Sequence, residues 1–299
     1  MNGPVVLIVN PTKTDDLDRL RSKVTKQCVA RGLPEPVVLE TTESDTGAGQ
    51  SREAVRRGAR VVLVAGGDGT VQAVCAGLAG TGVVLGLLPL GTGNLLARNL
   101  DLPLELDQAL TVALDGAERT LDLALATVGD AAPVLFAVMA GLGFDADMMA
   151  DAPAGLKATV GWPAYVVSGL AHLRDRPAEL TVVFDGATEK CLTASAVVIG
   201  NVGELQAGVA LLPDAVPDDG VLDVVVLAPR HLLDWGRLLA RLVGRSRTND
   251  GNLQRHTARR IEVRTDTPMQ AQLDGEPVGE TASLVVEVQP GVLTVRVRR

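Results

Sequence analysis

The sequence predicts an open α/β domain built on a largely parallel sheet, followed by a strand-rich domain. Three observations carry this. Short β-branched runs alternate with longer polar-apolar segments through the first third, glycine-rich turns follow two of those runs, and from about residue 119 apolar runs succeed one another with few helical segments between.

Taken in order, PVVLIVN (4–10) reads as a strand, a helical stretch follows near 15–31, and PVVLE (36–40) is a second strand. Another helical stretch near 50–58 leads to the strand RVVLVA (60–65), which runs into GGDGT. This is βαβαβ punctuation, the mark of an open sheet with covering helices. A helix-like segment at 70–79, a buried strand VVLGLLPL (83–90) and helix signals at 94–98 and 105–115 continue it. The later runs VLFAVMA, LTVVF, ASAVVIG, LDVVVLA, IEVRT, SLVVEV and VLTVRV are strands, with helical exceptions near 157–174 and 231–243. No repeat of fixed period and no low-complexity linker marks the boundary near 118, which is a change of rhythm.

Composition narrows the function. The 299 residues, 46% hydrophobic, favour two domains. A net charge of -8 argues against a nucleic-acid coat, and 2% aromatic residues leave little for recognition by stacking. Cys28, Cys75 and Cys191 are far apart, with no CxxC pair and no His at ligand spacing, so neither a disulfide framework nor a zinc site is expected. A reducing cytoplasm fits. The start, MNGPVVLIVNP, lacks the pattern of a signal peptide, and no uncharged run reaches the roughly 18 residues of a spanning helix. Contact with a membrane is expected to be peripheral.

Two turns carry the chemistry. In open α/β sheets ligands sit beyond the carboxyl ends of the strands, where GGDGT (66–70) lies. Glycine admits close approach of a phosphate, and free N–H groups at the helix start attract negative charge. Asp68 would repel phosphate unless a divalent cation lay between them, which suggests a nucleotide phosphate with Mg²⁺. A bland alternative stays open: a glycine-rich turn in which Asp68 and Thr70 cap the helix. PLGTGNLLARNL (89–100) repeats the design with Gly91, Thr92, Gly93 and then Asn94, itself a good N-cap. Neither turn is a Walker A loop or GxGxxG. LDGEP (273–277) reads by itself as a β-turn with two solvated acids. WGRLLARLVGRSR (235–247) is a basic amphipathic stretch that suits anionic headgroups or, equally, a helix packed on the sheet with its arginines in solvent. His172, His231 and His256 are scattered, and none has an assigned role.

GGDGT followed by PLGTGN resembles the catalytic domain of the diacylglycerol kinase family, in particular the soluble bacterial lipid kinases, with sphingosine kinases as relations. The resemblance continues through GLGFDA (141–146), YVVSGLAHLRDRP (165–177), GNVGELQAGVALLPDAVPDDGVLDVVVL (200–227) and LDGEP, in order along nearly the whole chain. GGDGT alone is shared with NAD kinases and phosphofructokinase-like enzymes. The later motifs favour lipid kinases.

The resemblance implies an N-terminal α/β ATP-binding domain of the NAD kinase/diacylglycerol kinase type over 1–118, completed by 290–299. It implies a β-sandwich-like lipid-substrate domain over 119–289 and an active site in the cleft between the two. It assigns nucleotide contact to Asn10 and Pro11 with neighbouring Thr12 and Lys13, to Thr42 or Thr41, to Gly66, Gly67, Asp68, Gly69, Thr70, Val71 and Gln72, and to Gly91, Thr92, Gly93 and Asn94. Asp68 and Asp122 match a water-linked Mg²⁺ network. Val216, Asp219 and Val221 match a second, structural Mg²⁺ site. Glu276 matches the proton acceptor, with Asp274 beside it and Asp68 as the further catalytic acid. Two positions depart from the family pattern: NPTKTDD lacks the glycine of NPxxG and brings Lys13, and Leu95 stands where many members carry Asp after GTGN. The implied activity is ATP- and Mg²⁺-dependent phosphorylation of a lipid alcohol, diacylglycerol to phosphatidic acid foremost, in phospholipid metabolism. The enzyme is expected to be cytoplasmic and peripherally membrane-associated, with a homodimer left open. Another lipid, an NAD-like acceptor, or a binding regulator of weakened turnover are the alternatives.

Overall fold

The structure, a computed structural model, describes residues 3–143, 177–205, 210–229, 234, 237, 238, 240, 241 and 248–299. The helix expected near 157–174, most of that near 231–243, the basic stretch 235–247 beyond four of its residues, the second half of GLGFDA, most of YVVSGLAHLRDRP, His172 and His231 lie outside the described residues. The chain forms two compact units, Met1–Leu123 with Pro290–Arg299, and Ala124–Gln289.

In the first unit, strands β1 (Val5–Val9), β2 (Val37–Glu40), β3 (Val61–Gly66) and β4 (Val84–Pro89) pair in parallel in the order β4-β3-β1-β2. Parallel pairing demands crossovers, and the intervening segments are helical. These are α1 (Leu17–Val29) and α2 (Ala48–Arg56), then α3 (Asp68–Leu78), the short α4 (Leu95–Asn99) and α5 (Leu106–Asp115). Leu20, Val24 and Cys28 recur every four residues on α1, and with Ala109, Leu110 and Ala113 of α5 they cover Val5, Leu7 and Val9. Val6 and Ile8 are 0% exposed as well, so both faces of the sheet are covered and its strands read as unbroken apolar runs. Asp16 begins α1 by accepting the Arg19 N–H at 2.8 Å, and Glu105 does the same for α5 through Gln108 at 3.0 Å.

The second unit is antiparallel. Its strands are the far part of β5 (Ala117–Val128), then β6 (Val134–Phe136), β7 (Met139–Leu142), β8 (Ala178–Phe184), β9 (Thr188–Ala194), β10 (Ala196–Gly200), β11 (Leu222–Leu227), β12 (Leu253–Ala258), β13 (Arg260–Leu273) and the near part of β14 (Glu276–Val297). β13 pairs with β8 over Ile261–Thr265 and with β7 over Ala271–Leu273. The register breaks between Arg264 and Met269, so one strand serves both faces of a sandwich. Phe136, Leu142, Leu180, Ile199, Val224, Ile261 and Leu284 fill its core. β14 then leaves this unit, and Thr294 and Val295 pair in parallel with Val84 and Leu85 of β4 in the first.

Candidate active site

In the first unit the parallel register aligns the strand ends: Val9 lies beside Glu40 and Ala65, and Gly66 beside Pro89. Asn10–Lys13, Thr41–Thr42, Gly67–Thr70 and Leu90–Asn94 therefore leave the sheet along one edge, the carboxyl edge. The residues expected to touch nucleotide after the first four strands are brought together by this alone.

The two glycine turns pack on each other. A Cβ placed on Gly91 would lie 2.7 Å from the Gly67 Cα, and one on Gly66 would lie 2.7 Å from the Thr70 Cβ. Only residues without side chains allow this approach. Around a Cβ on Gly67 the neighbours stand farther off, the Lys13 Cε at 3.6 Å among them, so the exposed Lys13 reaches alongside this turn. Helix α3 starts at Asp68 with Gly67 at its N-cap and no side chain capping it. Its first N–H groups keep the polarity that draws anions to helix starts.

Asp68 is not the cap of its own helix. Its carboxylate instead reaches the other turn, accepting the Asn94 N–H at 2.9 Å and the Leu95 N–H at 2.6 Å, and so caps α4. Asn94 occupies the N-cap position of α4 in the left-handed region, φ 50°, and its amide turns back on Gly91, accepting that N–H at 2.9 Å and donating to its carbonyl at 2.7 Å. Gly93 is buried with its carbonyl held by the Arg98 Nε–H at 2.8 Å, and Thr92 is exposed. Asn10 accepts the Thr12 N–H at 3.0 Å and donates to the Thr70 hydroxyl at 3.3 Å, which ties the first strand end to α3. Pro11, Gly69, Val71 and Gln72 are half-buried. Thr41 is buried, whereas Thr42 is exposed in a turn closed with Asp45.

Among the described residues no three His, Cys, Asp or Glu side chains gather as a metal cluster. The carboxylate of Asp68 spends one acceptor position per oxygen on α4, out of roughly four, so by count it could also accept from a metal-bound water. Asp122, 3% exposed, accepts the Gly291 N–H at 2.7 Å. Leu95 is 6% exposed and belongs to the core, so it adds no ligand. In the second unit Val216 and Asp219 are exposed and Val221 half-buried, and Asp219 accepts the Val221 N–H at 3.1 Å. Burial, with Asp219 and Asp214 nearby, pushes the Asp223 carboxyl up to about 6.

LDGE is the hairpin tip between β13 and β14. Leu273 pairs with Glu276, and the two residues between them have positive φ, 49° at Asp274 and 89° at Gly275, as the tight turns that match strand twist require. Glu276 is exposed. Asp274 is 5% exposed, and its carboxylate accepts the N–H groups of Ala137 at 3.0 Å, Val138 at 2.8 Å and Met139 at 3.0 Å. Sequence reasoning gave no role to Asn201, whose buried amide donates to the Ala137 carbonyl at 3.3 Å. No local pattern marks it, because its partner lies 64 residues away. His256 packs on the Phe184 ring at 4.8 Å and meets the Lys190 Nζ at 3.3 Å, an ordinary structural setting.

Residues 4–126 match the diacylglycerol kinase catalytic domain, and residues 137–297 match the YegS C-terminal NAD kinase beta sandwich-like domain. A protein of Cronobacter sakazakii named "Probable lipid kinase YegS-like" is 31% identical, over 97% of this chain and 94% of its own. The diacylglycerol kinase of Bacillus subtilis is 28% identical, over 90% and 88%. A solved diacylglycerol kinase structure from Bacillus anthracis str. Sterne superposes with a TM-score of 0.75 at 20% identity, covering 99% of this chain and 97% of that one. At that identity it speaks for the fold alone.

Proposed function

The chain belongs to the diacylglycerol kinase catalytic domain family, and from that membership we propose that it is an ATP-dependent lipid kinase acting on the hydroxyl of a lipid alcohol, with diacylglycerol as first choice. The observation that supports this most is the packing of the two glycine turns at the carboxyl edge of the parallel sheet, beside an α3 start that no side chain caps. The triphosphate would lie on these turns, with Lys13 alongside and Asn10 holding Thr70. Asp68 and Asp122 would hold Mg²⁺ through water, and Val216, Asp219 and Val221 a second ion. When bound, Mg²⁺ would supply charge neutralisation for the transferred phosphoryl group. Glu276, the exposed acid of the hairpin tip, would accept the hydroxyl proton as that oxygen attacks the γ-phosphorus and ADP departs. Most of the acceleration would come from positioning and charge neutralisation. A lipid acceptor requires peripheral contact with a membrane, and no described helix is long and apolar enough to cross one.

The test is transfer from γ-labelled ATP to a panel of lipid alcohols, with products separated by thin-layer chromatography. Label entering the organic phase supports the kinase; label staying in an NAD-like product redirects it. Glu276→Gln should remove transfer while leaving ATP binding near normal, and full turnover in that variant would end its role as base. The buried Leu95 favours a second reading, a nucleotide- and lipid-binding regulator without turnover. Binding of ATP with Mg²⁺ but no transfer to any acceptor would establish it.

A further inference from the structure

In the second unit, β7 lies between β10 and β13. Met139 pairs with Gly200, and Ala140 with Leu273. The residues that follow on the two flanking strands, Asn201 and Asp274, therefore meet the segment that enters β7, Ala137–Met139. The N–H groups of Ala137, Val138 and Met139 all donate to the Asp274 carboxylate. Their carbonyls are used too. The Ala137 carbonyl accepts the Asn201 amide, the Val138 carbonyl accepts the Asn201 N–H at 2.9 Å, and the Met139 carbonyl accepts the Asp274 N–H at 2.8 Å. Ala137, Val138, Met139, Asn201 and Asp274 are all at or below 5% exposure, so water does not compete for these bonds.

We infer that Asn201 and Asp274 act together as positioning residues, clamping Ala137–Met139 from its carbonyl and amide sides and so fixing the LDGE hairpin tip that presents Glu276. The inference rests on the reading of Glu276 as the base. Asp274 thereby takes an anchoring part instead of the catalytic one expected beside Glu276. A tip joined to β13 and β14 by a two-residue turn could rock about that turn. Anchoring the first turn residue to the entry of β7 removes this freedom and keeps the exposed acid in one orientation. Alignment within a fraction of an ångström is what proton transfer rewards.

Asn201→Ala and Asp274→Asn test this by two independent readouts. Asparagine at 274 retains one carbonyl oxygen for Val138 and Met139 but turns an amide donor toward the Ala137 N–H. In hydrogen exchange, the amides of Ala137, Val138 and Met139 should be protected in the wild type and exchange at least about 10-fold faster in Asp274→Asn and in Asn201→Ala. In turnover, each variant should lose about 10- to 100-fold in kcat with the KM for ATP unchanged, and the double variant should be little worse than the poorer single one. The acidic limb of the kcat profile, set by the base, should stay at the wild-type pH in both. Fast exchange of the three amides in the wild type would overturn the clamp, as would wild-type kcat in Asn201→Ala. Loss or displacement of the acidic limb in Asp274→Asn would show Asp274 titrating in the reaction and overturn the positioning role. If the wild type transfers phosphate to no lipid alcohol, the kinase reading fails, and exchange at 137–139 still decides the clamp by itself.

Discussion

The Asp68 carboxylate sits where two N–H groups of α4 need an acceptor, 26 and 27 residues further along the chain. A cap ordinarily serves the helix it begins, and Asp68, the first residue of α3, serves the next one, α4. It joins the two glycine turns in the ligand-free protein. Asp68→Ala should therefore lower the thermal midpoint of the ligand-free protein, by the equivalent of about 1 kcal/mol for a lost cap, as well as abolish transfer. Asp68→Asn, which keeps one acceptor oxygen, should recover part of the stability and little of the activity. An unchanged midpoint in Asp68→Ala, read by scanning calorimetry, would show the bonds to α4 to be worthless. At this scale the sequence revealed that an acid stands among glycines. It could not show which N–H groups the acid would face, since Asn94 and Leu95 come near only when β3 and β4 pair.

Elements marked by an unbroken apolar run or by helical spacing were legible. β1, β3 and β4 are apolar runs, and α1 repeats Leu20, Val24 and Cys28 at helical spacing. β9 and β12 were missed because TEKCLTA and LQRHTA carry too few apolar residues to show alternation, as suits strands at a sheet margin. An Asp–Gly pair at 185–186, with φ of 51° and 71°, was the available signal for the β8–β9 hairpin. The start of β11 carries a consequence for pH. The folded protein holds a proton on Asp223 up to about pH 6, whereas an ordinary carboxyl releases it near 3.8. The group thus favours the fold below about pH 4, and that contribution is lost as pH rises through 6. Asp223→Asn should remove this part of the pH dependence of the thermal midpoint. At pH 7, millimolar Mg²⁺ should raise the wild-type midpoint and do so much less in Asp219→Asn. Equal response in the two proteins would speak against a cation held by the loop before β11.

Across the whole molecule, the last ten residues belong to the first unit and not to the one that precedes them. Leu293 and Val295 are at most 1% exposed, the Arg296 guanidinium pairs with Glu118 and donates to the Gly116 carbonyl, and the Gly80 N–H donates to the Val292 carbonyl. Deleting 290–299 should uncover the β4 edge and remove two buried side chains, each worth about 1.5–3 kcal/mol. The expected result is aggregation or a markedly lower thermal midpoint, measured by light scattering during heating; a midpoint equal to the full chain's would refute a structural part for this strand. By itself the sequence determined the α/β and strand-rich classes, the order of most strands and the place of the two glycine turns at strand ends. These depend on side-chain period and on backbone freedom, both carried by neighbours in the chain. Tertiary structure alone decided that Asp68 caps α4, that Asp122 holds the Gly291 turn, and that Asn201 and Asp274 close on Ala137–Met139. Each is a hydrogen bond between residues 27 to 169 positions apart, and only strand pairing determines which distant groups share an edge.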